Sequence, residues 1–148
     1  MNRRQLLAAA AGTAGVTSLA GCGLFRDDPE PVPPPDPLQP VLDEALALAG
    51  AYDRAVVTDP TQAGRLAPLA GDHREHATAL AQLIGVALPT SAAASSAPAG
   101  AETLATLRKA EQAAHKTAVA ACLQAPATRA ALVGSIAAAR ATHAEALR

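Results

Sequence analysis

The four histidines of this 148-residue chain sit at helical intervals from other polar groups. His73 and His76 are three residues apart, His115 follows Glu111 by four, and His143 follows Arg140 by three. Such intervals place side chains on one face of a helix. Imidazole nitrogen and carboxylate oxygen are suitable donors for a single Zn²⁺, Fe²⁺ or Cu²⁺ ion. Glu44, His73, His76, Glu111 and His143 are therefore the candidate metal ligands. The same residues can also satisfy one another without an ion. Glu111 would then pair with Arg140, the histidines would bond carboxylates or one another, and the polar layer would fix helix register. Both readings stay open on sequence alone, and His115 reads as a solvated or half-buried neighbour of Glu111.

These residues need helices to carry them. Four alanine- and leucine-rich segments, at about 38–58, 61–88, 101–124 and 127–147, are punctuated by proline, glycine and serine and read as helices. No strand pattern competes with them. Asp59-Pro60-Thr61 stops one helix and starts the next, with Asp59 or Thr61 as a cap, and Pro126 and Thr128 open the last. Leu66, Leu69, His73, His76, Leu80, Leu83 and Ala87 form an inward stripe on the second helix. Leu104, Leu107, Glu111, Ala114, Ala118 and Ala121 do so on the third, and Leu132, Ile136, Ala139, His143 and Ala146 on the fourth. The first helix offers Leu38, Val41, Ala45, Leu48, Tyr52 and Ala55, with Glu44 at the edge and Asp43 solvated.

The expected fold class is all-α, a four-helix bundle over residues 41–148. With about 1.5 Å of rise per residue and up-and-down order, Glu44, His73, His76, Glu111, Arg140 and His143 fall within two turns. They should form one polar layer. The loop from Pro89 to Gly100 could just span a bundle as a crossover, but the hairpin order is physically easier.

At the other end, Arg3 and Arg4 precede a short apolar run over residues 6–20, too short for a spanning helix and patterned as a signal peptide. Leu19-Ala20-Gly21-Cys22 resembles the lipobox of bacterial lipoproteins, which implies cleavage after residue 21 and acyl chains on Cys22. Asn2-Arg3-Arg4-Gln5-Leu6-Leu7 is also similar to a twin-arginine export signal. The expectation is an exported protein on the outer face of the cytoplasmic membrane, held by lipid, whose bundle serves as a binding or structural module of the cell envelope; the alternative is a mononuclear metal-binding or redox protein. Residues 22–40 follow as a linker with prolines at 29, 31, 33, 34, 35, 37 and 40, an extended spacer.

Loss of Arg3 and Arg4 from the 12 basic residues leaves 10 against 13 acidic ones, a net charge of −3. That balance excludes nucleic acid and polybasic membrane binding, and leaves a protein partner or a second copy open. With Cys22 lipidated, Cys122 has no disulfide partner. Neither a phosphate-binding glycine loop nor a nucleophile elbow occurs, so no catalytic residue is assigned and enzymatic activity is not expected.

The chain resembles the ferritin-like four-helix domains of actinobacterial lipoproteins. The residues that carry the resemblance are Asp72-His73-Arg74-Glu75-His76 with Ala79-Leu80, Leu107-Arg108-Lys109-Ala110-Glu111, and Ser135-Ile136-Ala137-Ala138-Ala139-Arg140-Ala141-Thr142-His143. The resemblance implies Glu44 and Glu111 as single carboxylates and His76 and His143 as the histidines of two Glu-x-x-His motifs. Here His73 and Arg140 stand at the carboxylate positions of those motifs. A guanidinium is the wrong neighbour for two divalent ions, so one iron or zinc ion, and not a di-iron centre, is the cofactor the residues would suit.

Overall fold

The computed structural model describes residues 34–89 and 102–148. The signal peptide, Cys22, the linker to residue 33 and the segment 90–101 lie outside the described residues. Four helices carry the fold: α1 Gln39–Thr58, α2 Ala63–Ile84, α3 Leu104–Gln124 and α4 Ala127–Ala146, with a 3-10 turn at Pro60–Gln62 between α1 and α2. There is no strand among the described residues. None of these helices is long and apolar enough to cross a membrane.

Local chemistry sets the limits. Asp59 accepts from the Thr61 amide at 3.1 Å, so the aspartate and not Thr61 caps the restart after α1. Gly85 ends α2 at φ 72°, a left-handed conformation that glycine reaches without steric cost. Thr103 and Thr106 form a reciprocal capping box at the start of α3. The first helix begins at Gln39, within one residue of the start read from the sequence. Asp36 holds that entrance by accepting from the Leu38 amide at 2.9 Å and from Arg129 of α4 at 2.7 Å.

The order of the helices in space differs from the hairpin expectation. Tyr52 of α1 meets Glu111 of α3, and Glu44 meets Thr117, so these helices run antiparallel. Leu42 clusters with Leu80 and Tyr52 with Leu66, so α1 and α2 are antiparallel as well. It follows that α2 and α3 point the same way, so Gly85 and Thr103 lie at opposite ends of the bundle. The neighbours are α1 with α2, α3 with α4, α1 with α3 and, least closely, α2 with α4; α2 and α3 are diagonal.

This order splits the apolar interior in two. One cluster joins Leu38, just before α1, and Val41 and Leu42 of α1 with Leu80 and Ala81 of α2, Ala118 of α3 and Val133 and Ile136 of α4. The other joins Leu48, Tyr52, Leu66, Leu107 and Leu147. Each buried leucine or isoleucine contributes about 1.5–3 kcal/mol by leaving water. Between the clusters lies a waist of buried charge.

Candidate metal centre

The fully buried polar residues are His73, Glu111 and Arg140, with His143 only 4% exposed. Packing along the stripes explains their burial: each follows or precedes leucine, isoleucine or alanine by three or four residues on its helix. Because α2 and α3 are parallel, His73 comes level with Glu111, and α4 brings His143 beside both. A ligand atom from each of these three residues lies within 4.8 Å of the other two.

Glu111 is the centre of the arrangement. Its Oε1 accepts from the Tyr52 hydroxyl at 2.7 Å and from His73 Nε2 at 2.6 Å. His143 Nδ1 lies 3.3 Å from the same oxygen, near enough for ionic attraction but without hydrogen-bond alignment. The other nitrogen of His143 donates to Asp72 Oδ2 at 3.2 Å. The rings of Tyr52 and His73 stack with centres 5.4 Å apart, and His143 meets His73 edge-on at 5.0 Å.

These contacts set the charges. Burial works against an ionised Glu111, yet the close approach of His143 and the hydrogen bonds from His73 and Tyr52 overcome it and hold the carboxyl at about 2. Burial likewise works against a charged His143, but Glu111 and then Asp72 raise its pKa. Burial and the adjoining carboxylate push the Tyr52 phenol far above its usual value, so it remains a donor. An ionised carboxylate only accepts, so His73 Nε2 must carry its proton.

Arg140 stands one turn away, three residues or about 4.5 Å along the axis from His143. It does not pair with Glu111, contrary to the sequence expectation. Its guanidinium donates to Glu44 Oε2 at 2.9 Å, to the Ala114 carbonyl at 2.8 Å and to the Val41 carbonyl at 2.9 Å. Glu44 also accepts from Thr117 at 2.8 Å. Burial pulls the Arg140 pKa down while Glu44 and Glu111 pull it up, and the group stays charged. The single expected layer is thus two: Tyr52, His73, Glu111 and His143 in one, Arg140 and Glu44 in the next.

Of the five candidate ligands, the structure brings together His73, Glu111 and His143. Glu44 is taken by Arg140. His76 is half-buried beside them, its ring centre 6.0 Å from that of His73. Burial, with the charges of His73, His143 and Arg140, lowers the His76 pKa and favours its neutral form. His115 is half-buried and bonds the Ala137 carbonyl of α4 at 2.9 Å, apart from Glu111. Sequence reasoning did not assign Tyr52 or Asp72 to Glu111 and His143. The signal for Tyr52 was present, since a tyrosine in a core stripe needs a partner for its hydroxyl.

Two imidazoles and one carboxylate form a donor set that zinc and ferrous iron both accept. Each of the three residues also has one buried atom without a hydrogen-bond partner: His73 Nδ1, Glu111 Oε2 and His143 Nδ1. Buried polar atoms left this way cost about 1–3 kcal/mol each. The group is therefore compatible with a metal ion, and one carboxylate suits one ion better than two. No protein-family model, curated protein or solved structure matches this chain.

Proposed function

We propose that this chain is an exported, lipid-anchored protein whose helical bundle holds one divalent transition-metal ion on His73, Glu111 and His143. The observation that carries the reading is the buried His/Glu/His group, with ligand atoms within 4.8 Å of one another. Asp72 supports it, since a carboxylate bonded to the outer nitrogen of a ligating imidazole orients the ring and raises its basicity. The parallel direction of α2 and α3 supports a ferritin-like assignment. The charge of Arg140 and its bond to Glu44 support one ion over two.

Loading the mature domain with Zn²⁺ or Fe²⁺ and counting metal by elemental analysis is expected to give one equivalent per chain. Less than about a tenth of an equivalent overturns the metal reading. The competing reading is a purely structural waist in an envelope binding module. It is favoured by the 2.6 Å bond from His73 to Glu111, shorter than the about 3.3 Å that separates two ligands on one tetrahedral ion. Ion binding then requires the two side chains to part by several tenths of an ångström.

The anchor has its own test. Cys22→Ser is expected to move the protein from the membrane fraction to the soluble fraction, because acyl chains alone supply the affinity in a chain with no basic patch. Membrane fractionation that leaves the variant bound contradicts lipidation.

A further inference from the structure

We propose that a divalent cation reaches the buried His73–Glu111–His143 group along the seam between α2 and α4, captured by Asp72 at the surface and passed inward by His76. This rests on the metal-binding reading above. The ligand group is closed to solvent, so a hydrated ion needs polar partners at each stage of losing its water. Among the four neighbouring pairs, α2 and α4 make the fewest close backbone approaches. Their seam is also where polar side chains run from surface to interior.

Asp72 has a side chain 52% exposed and bonds His143 directly, so one carboxylate touches both water and the buried group. One turn further along α2, His76 is half-buried, with a buried Nδ1 that has no hydrogen-bond partner. Its ring lies edge-on to that of His73. Asp72, His76 and then His73 form a graded series of donors.

The opposite side offers a poorer route. A groove of about 340 Å³ lies between α1 and α3, lined by alanines with Glu44, Arg54 and Glu102. Inward of it, the Tyr52 hydroxyl covers Glu111 and the Arg140 guanidinium binds the α1 and α3 carbonyls. A cation arriving there meets a fixed positive charge.

A residue on the path, unlike a ligand, changes association and dissociation together and leaves the equilibrium where it was. Stopped-flow mixing of the full chain with Co²⁺ would follow the visible absorption of the bound ion. Asp72→Asn retains an acceptor oxygen for His143 but loses the charge; His76→Gln loses the imidazole. Both rate constants are expected to fall about fivefold or more in His76→Gln, with the Kd within about threefold and the Co²⁺ spectrum unchanged. In Asp72→Asn association should slow by as much, and the Kd should also weaken about tenfold because His143 loses the carboxylate that makes it basic. Asp53→Asn, which removes an exposed partner of Arg74, should match the wild type.

Unchanged rates in both variants, with Co²⁺ still bound by the wild type, overturn the route alone. For His76→Gln, faster dissociation with a weaker Kd and an altered spectrum also overturns it, because His76 would then be a ligand. A wild-type chain that takes up no Co²⁺ overturns the metal reading and the route with it.

Discussion

Replacing Arg140 by alanine is expected to lower the unfolding free energy by about 3–5 kcal/mol. For a domain of this size that is a fall in Tm of at least roughly 12 °C. The guanidinium is fully buried and ties α4 to the Val41 carbonyl of α1, the Ala114 carbonyl of α3 and the Glu44 carboxylate. Alanine removes those bonds, strands Glu44 and leaves a cavity. Arg140→Met keeps most of the stem volume. Glu44, with a third of its side chain exposed, can then turn to water, so this variant should lose only about 1–2 kcal/mol. Adding Glu44→Gln to Arg140→Met should recover part of that loss, because an ion pair removed whole costs less than one broken. Urea denaturation followed by circular dichroism orders the three variants. A loss below about 1 kcal/mol for Arg140→Ala contradicts a holding role for the guanidinium.

The helices themselves were legible because their signals are local. Asp59-Pro60-Thr61, Gly85 and Pro126 punctuate the chain where the structure turns, and the three- and four-residue stripes place His73, Glu111 and His143 inward. Pro68 lies inside α2 without ending it. What the stripes do not encode is which helix each one faces. The segment joining α2 and α3 is long enough for either order, so loop length could not decide between a hairpin and a lengthwise crossing. That choice decides how α2 aligns with α3. Glu44 came beside Arg140 and Thr117, and Glu111 bonds Tyr52 and His73 in place of Arg140. His76 belongs to the same stripe as His73 but stays half-buried, on the side of α2 where α4 makes few close backbone approaches. Asp72 sits at the edge of that stripe, where spacing alone does not tell a solvated carboxylate from one that reaches across to His143.

Glu111→Gln is expected to abolish the site and to leave a pH signature in the metal-free protein. The carboxylate is the only anion among the three ligands, so the amide should weaken Zn²⁺ binding more than about a hundredfold, or about 2.7 kcal/mol. Without metal, an ordinary carboxyl pKa of 4.5 held at about 2 corresponds to roughly 3 kcal/mol at neutral pH. Because the folded pKa is the lower one, this stability is complete above pH 4.5 and disappears as pH falls through about 2. The raised pKa of His143 describes the same attraction from its other end: it contributes below the usual histidine pKa and is lost as pH rises through the raised value. The two are one interaction and are not added. Glutamine cannot ionise, so the variant should be about 2–3 kcal/mol less stable than wild type at pH 7 and should converge on it near pH 2. Unfolding curves at several acid pH values decide the matter. A difference that stays constant from pH 7 to pH 2 would mean the side chain acts through its shape, and that its charge does not hold Tyr52, His73 and His143 together.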